Sequence, residues 1–168
     1  MKVFLLGMMG SGKSYWTKLL ATKYKTGGYD LDSLIESLEE KTITEIFESE
    51  GEAHFRQLEA DTLRWFAQKK TFILATGGGT PCFHNNMEWM NKEGLTIWID
   101  EPIEILAGRL SAEKSHRPLL KNLTDDALIE WLQTKLSERT ASYSLAQIRL
   151  QSNEISLINL TKLIDQYA

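Results

Sequence analysis

At 168 residues, with 42% hydrophobic and 25% charged side chains, the chain has the size and composition of one globular domain with one sizeable core, and no long segment is too polar to fold. A net charge of −4 and a pI near 5.5 exclude broad, sequence-independent nucleic-acid binding, which needs a basic face; small anions need only a local basic pocket. The single cysteine, Cys82, excludes an intramolecular disulfide and a cysteine-rich zinc site and fits a reducing cytosol, and no stretch reads as a membrane-spanning helix.

Lys2–Leu6 reads as a strand; its apolar run is too short for the core of a secretion signal and leads straight into glycines. The next residues, Gly7-Met8-Met9-Gly10-Ser11-Gly12-Lys13-Ser14, fit the pattern G-x-x-x-x-G-K-[ST], and Lys13–Tyr24 has helical composition. A strand before and a helix after are the context this pattern requires. The glycines let backbone N–H groups turn inward around phosphate oxygens, and the helix N-terminus adds positive potential. Lys13 then reaches the outer phosphates, and Ser14 offers a hydroxyl to magnesium. A plain strand-to-helix turn accounts for the glycines but not for the adjacent Lys-Ser.

Gly28–Asp30 reads as a second strand that Asp30-Leu31-Asp32 ends at the carboxyl edge of the sheet, where ligands of open α/β folds bind, and strand alternation would send the two aspartate side chains the same way. One carboxylate there can help hold hydrated magnesium while the other orients or deprotonates an acceptor hydroxyl. Capping of the following helix by Asp32 or Ser33 is an equally open reading. Thr42 and Glu45 make a capping-box pattern and Gly51 a helix stop, which places a short helix ahead of a longer one over Glu52–Lys69. Phe72–Thr76 is a buried-strand pattern that feeds Gly77-Gly78-Gly79, a run suited to close approach of backbone to a ligand rather than a merely flexible turn.

Helical patterns at Asn86–Lys92, Ile103–Arg109, Asp125–Ser142 and Ile155–Tyr167 alternate with strand patterns at Leu95–Ile99 and Gln147–Leu150, which predicts an α/β domain around a parallel sheet. Ser111–Leu123, polar and interrupted by Pro118, reads as an excursion from the core that can serve as a lid. Of six arginines, Arg56, Arg109, Arg117 and Arg139 lie where they can turn toward a pocket, and the planar guanidinium suits carboxylate and phosphate. Arg56 can also pair with Glu52 or Glu59, and Arg139 with Glu138 or solvent. His54, His84 and His116 lack ligand-like spacing, and Trp65, Trp89 and Trp131 fit core-facing helix positions.

Together these residues resemble the shikimate kinase family over essentially the whole chain. The resemblance rests on Gly7 to Ser14, Asp30 with Asp32, Ile46-Phe47 with Gly51-Glu52, Phe55-Arg56 and Glu59, Gly77 to Gly79, Arg117-Pro118-Leu119-Leu120, and Glu138-Arg139 with Tyr143. It implies a three-layer P-loop fold of the nucleoside monophosphate kinase type, in which a mainly parallel five-stranded sheet is flanked by helices. Residues 1–168 would form one domain, with an acceptor-binding insertion at about 33–60 and a lid at about 111–123. The implied activity is ATP-dependent phosphorylation of the shikimate 3-hydroxyl, on the chorismate route to aromatic amino acids.

The same resemblance implies roles residue by residue. Gly10, Ser11, Gly12, Lys13, Ser14, Tyr15, Arg109, Arg117 and Gln151 would bind ATP, with Arg109 against adenine. Ser14, and Asp30 through water, would hold Mg2+. Asp32, Arg56, Gly78, Gly79 and Arg139 would bind shikimate, and Lys13, Asp32 and Arg117 would carry the chemistry. A cytoplasmic monomer with no nucleic-acid or membrane partner is expected. "TPCFHNN", after the glycines, departs from the commoner apolar and arginine-containing version, and the adenine loop near Gln151–Ile155 matches loosely. A same-fold kinase for another hydroxylated acid, such as gluconate, and a non-catalytic nucleotide-binding regulator are the alternatives. The pair Arg56 and Arg139 speaks against the first, and the full set of lysine, carboxylates and lid arginine against the second.

Overall fold

The computed structural model describes residues 1–113, 120 and 122–167. Five strands, β1 (Lys2–Leu6), β2 (Gly28–Asp30), β3 (Phe72–Ala75), β4 (Leu95–Asp100) and β5 (Ile148–Gln151), form one sheet in the order β2-β3-β1-β4-β5. Every pairing is parallel, with β1 at the centre: Val3 aligns with Ile73 on one side and Leu95 on the other. Strands covered on both faces read as unbroken apolar runs, and β1 and β3 do. Alternation splits their side chains between two cores. Val3, Leu5 and Ile73 point to one face, where they meet Leu20 of α1 (Lys13–Tyr24) and Leu160 and Ile164 of α7 (Leu157–Tyr167).

Phe4, Leu6, Phe72 and Leu74 point to the other face, toward α2 (Leu31–Glu39), α3 (Ile43–Phe66), α4 (Asn86–Glu93), α5 (Ile103–Ala112) and α6 (Asp125–Tyr143). The result is three layers. Each fully buried Leu, Ile or Phe contributes about 1.5–3 kcal/mol. Phe4 and Phe72 meet edge to face, with centroids 5.4 Å apart.

Several boundaries differ from the sequence reading. β2 stops at Asp30, so Asp32 stands in the first turn of α2 rather than on a strand. The two side chains therefore share a cleft through the strand-to-helix transition, not through strand alternation. The capping box at Thr42 and Glu45 is present, and Gly51, at φ 84°, breaks α3 into the short and long segments its position implies. Leu120, expected in an excursion outside the core, is fully buried, and Leu123 packs against the same cluster. Arg117 and the rest of 114–119 lie outside the described residues. Trp65 is 55% exposed rather than core, and the Trp buried in the sheet is Trp98. Among the described residues, no helix is long and apolar enough to cross a membrane.

Candidate active site

The carboxyl ends of β1, β2 and β3 open into a cleft of about 1040 Å³. Parallel strands deliver their following loops to this edge, which is why α/β sheets bind ligands there. One wall is the glycine loop. Gly7, Gly10 and Gly12 all have positive φ, and a Cβ on Gly7 would come within 2.5 Å of the Ile99 carbonyl, so the exit from β1 admits only glycine. Lys13 folds back over the loop and donates to the carbonyls of Gly7 and Met8, both at 2.9 Å. Gly12 caps α1 without a side-chain hydrogen bond, which leaves first-turn amides of α1 facing the loop as an anion cradle.

Gly10, Gly12, Lys13, Ser14 and Tyr15 line the cleft as expected. Ser11 does not: its hydroxyl is buried beneath the loop with no hydrogen-bond partner. Arg109 reaches the loop from α5, donating to the Gly10 carbonyl and to Glu101, each at 2.9 Å. Gln151 is exposed and is not among the lining residues; Ser152 and Ile155 take its place at the edge of the cleft.

The opposite wall gathers acids and arginines. Asp30 caps α2, accepting from the Asp32 amide at 3.1 Å and the Ser33 amide at 3.5 Å, while its other oxygen accepts from the Ser14 hydroxyl at 2.5 Å. The cap of α2 is thus Asp30, not Asp32 or Ser33. Asp32 is left facing the cleft, where burial first and then the carboxylates of Asp30 and Glu59 push its pKa up from 3.8 to about 6, against the opposing pull of Lys13.

Arg56, just after the break in α3, pairs with Glu59 at 2.9 Å and with Glu52 at 3.2 Å. Glu59 has no solvent exposure, and its second oxygen accepts from the Thr80 hydroxyl. Both candidate partners of Arg56 are therefore engaged, and losing one member of so buried a pair costs about 3–5 kcal/mol. Arg139, from α6, lies 3.6 Å from the Met8 sulfur, while Glu138 pairs with Lys135 instead. Tyr143 donates to the Gly78 carbonyl at 2.5 Å, and burial holds its phenol well above the ordinary range.

These side chains converge on the three glycines. A Cβ on Gly77 would lie 2.6 Å from Glu59 and 2.9 Å from Asp32, one on Gly78 2.7 Å from Arg139, and one on Gly79 2.6 Å from Arg56. The run is glycine because four functional groups already occupy that volume. Glu101, Trp131 and Lys135 also line the cleft, and nothing in the sequence marks them beyond a strand end and helix composition.

A parallel sheet with a phosphate loop after its central strand, a lysine over that loop, and an acid-and-arginine pocket opposite defines a P-loop kinase of the nucleoside monophosphate kinase type. A sequence model of the shikimate kinase family matches residues 9–166. The chain belongs to the shikimate kinase family, a family of ATP-dependent kinases. A shikimate kinase from Bacteroides thetaiotaomicron is 38% identical over 154 residues, spanning 92% of this chain and 88% of the relative. One from Microcystis aeruginosa is 41% identical over 155 residues, spanning 92% and 79%. The crystal structure of a Bacteroides thetaiotaomicron shikimate kinase superimposes with a TM-score of 0.89 at 34% identity, over 99% of this chain and 95% of that one. Shikimate kinase from Acinetobacter baumannii in complex with shikimate gives 0.85 at 30% identity, over 98% and 90%.

Proposed function

We propose that the protein transfers the terminal phosphoryl group of ATP to the 3-hydroxyl of shikimate, acting as a cytoplasmic monomer. The observation that carries this reading is the convergence of Arg56 and Arg139 on Gly79 and Gly78, across the cleft from Lys13 and beside Asp32. Two guanidinium forks against bare backbone suit a small acid whose carboxylate is clasped while its hydroxyls face the phosphate loop.

In this reading the amides of Gly10–Ser14 and the Lys13 ammonium hold the ATP phosphates, and Lys13 exchanges its two carbonyl partners for phosphate oxygens that gain charge during transfer. Tyr15 and Arg109 flank the nucleoside, and Arg117, which lies outside the described residues, is assigned to the transferring phosphoryl group by the family resemblance alone. Asp32 orients the acceptor hydroxyl and takes its proton; a carboxylate with a pKa of about 6 is ionised at neutral pH yet more basic than an ordinary one. Arg56 and Arg139 fix the acceptor carboxylate. Among the described residues no cluster of three or more His, Cys, Asp or Glu could enclose a metal ion, but the Ser14 hydroxyl beside the Asp30 carboxylate fits a magnesium ion that keeps most of its waters. When bound there, Mg2+ neutralises charge on the phosphate oxygens.

A coupled assay of ADP release over shikimate, gluconate, other hydroxylated acids and water tests the reading. Shikimate should exceed every other acceptor in kcat/KM by at least about a hundredfold, because a site built for paired polar groups rejects ligands that leave them unpaired. Preference for gluconate would overturn the acceptor assignment, and no ADP release with any acceptor would favour the regulator.

A further inference from the structure

The stretch Thr80–Asn86 follows the three glycines and meets both Arg56 and its partner Glu59. We infer that Phe83 is a positioning residue for the acceptor carboxylate, acting through the cation–π contact of its ring with the guanidinium of Arg56. This rests on Arg56 clasping the acceptor's carboxylate.

Three rings surround the Arg56 guanidinium carbon: Phe83 at 4.5 Å to the centroid, Phe55 at 5.1 Å and Phe47 at 6.0 Å. Phe47 and Phe55 line the cleft and pack against each other at 4.6 Å. Phe83 has the shortest distance of the three and is not among the described lining residues, so it touches Arg56 without bordering the ligand space. Glu59 and Glu52 bond to the polar edge of the guanidinium and thereby fix where that edge lies. Those bonds pull on the guanidinium from two carboxylates, and the Phe83 ring adds a third contact, on its carbon, that backs the group from the side away from the ligand space.

The ring is itself anchored. Asn86 donates its amide N–H to the Phe83 carbonyl at 2.9 Å and its side-chain amide to the Thr80 carbonyl at 3.0 Å. Arg64 donates to the Asn86 side chain and to the His84 carbonyl, both at 2.8 Å. Thr80 in turn donates to Glu59, the acid that holds Arg56. The loop thus reaches Arg56 twice, through Thr80 and Glu59 and through the Phe83 ring.

Phe83 is 38% exposed, so its replacement leaves the core intact. Phe83→Leu keeps apolar bulk and removes the ring; Phe83→Tyr keeps the ring. The assay measures ADP release with shikimate and with its neutral primary amide, after wild-type turnover of shikimate has been established. Failure at that first step removes the functional reading and is separable from any result on Phe83. The expected result for Phe83→Leu is a rise in shikimate KM of about fivefold, the scale of one partly desolvated cation–π contact, with kcat and ATP KM unchanged. Phe83→Tyr restores the wild-type KM, and the KM for the amide is the same in all three proteins. An unchanged shikimate KM in Phe83→Leu, an equal rise for acid and amide, or failure of Phe83→Tyr to restore the KM overturns the proposal.

Discussion

Replacing Asp32 by Asn separates chemistry from folding, because the structure gives the two effects opposite signs. Asn matches Asp in size but cannot accept a proton. If Asp32 takes the proton of the acceptor hydroxyl, turnover should fall on the order of 10²- to 10⁴-fold. Stability should move the other way. The folded-state pKa of about 6 lies above the ordinary 3.8, so the folded protein binds more protons than the unfolded chain between those values. Stability therefore declines as pH rises through that window and stays reduced above it. A shift of about two units corresponds to about 3 kcal/mol at neutral pH. Asp32→Asn relieves that cost, and for a chain of this size the melting temperature should rise by up to about 6–12 °C at pH 7.5. The gain should shrink as pH falls toward 4. Differential scanning calorimetry across pH, together with coupled-assay kinetics on the same preparation, reads both effects. In the wild type, kcat/KM should fall below about pH 6 as Asp32 protonates. An Asn variant with near-wild-type turnover would refute the catalytic role. One that melts lower than wild type at pH 7.5 would refute the electrostatic reasoning, since helix capping belongs to Asp30.

Lys13→Ala should nearly abolish phosphoryl transfer while circular dichroism reports a folded protein, because the ammonium serves phosphate charge in a loop whose turn is set by glycines. Gly79→Ala places a methyl group 2.6 Å from the Arg56 guanidinium, which Glu59 holds in place; steady-state kinetics should show shikimate KM raised about tenfold or more with ATP KM unchanged. Arg117→Ala, in the stretch expected from the sequence to serve as a lid, should lower kcat more than it raises shikimate KM, as measured in the same assay, because contacts made by a lid mature late in the cycle.

Features that depend on neighbours a few residues apart are written in the chain's local pattern. The glycine pattern, the capping box at Thr42 and Glu45, the helix break at Gly51 and the apolar runs of β1 and β3 follow from local backbone geometry and side-chain periodicity, and all are present in the fold. Arg56 and Arg139 were picked out through the family resemblance, since the residues around them left pairing with neighbouring acids or solvent equally open, and the fold places both in the cleft. How distant segments meet is a property of the packed fold. The order β2-β3-β1-β4-β5 brings Gly7–Ser14, Asp30–Asp32 and Gly77–Gly79 to one edge, and no local interaction encodes that adjacency. It also settled which aspartate caps α2: the choice turned on where β2 ends, and sheet pairing with β3 stops it at Asp30. Trp65 and Leu120 were misjudged for the same reason, since the side of an element that becomes buried depends on what packs against it. Thr80–Asn86 carried no legible function because Phe83 meets Arg56, a residue on another element, and a contact between residues far apart in the chain exists only once the sheet and α3 have packed.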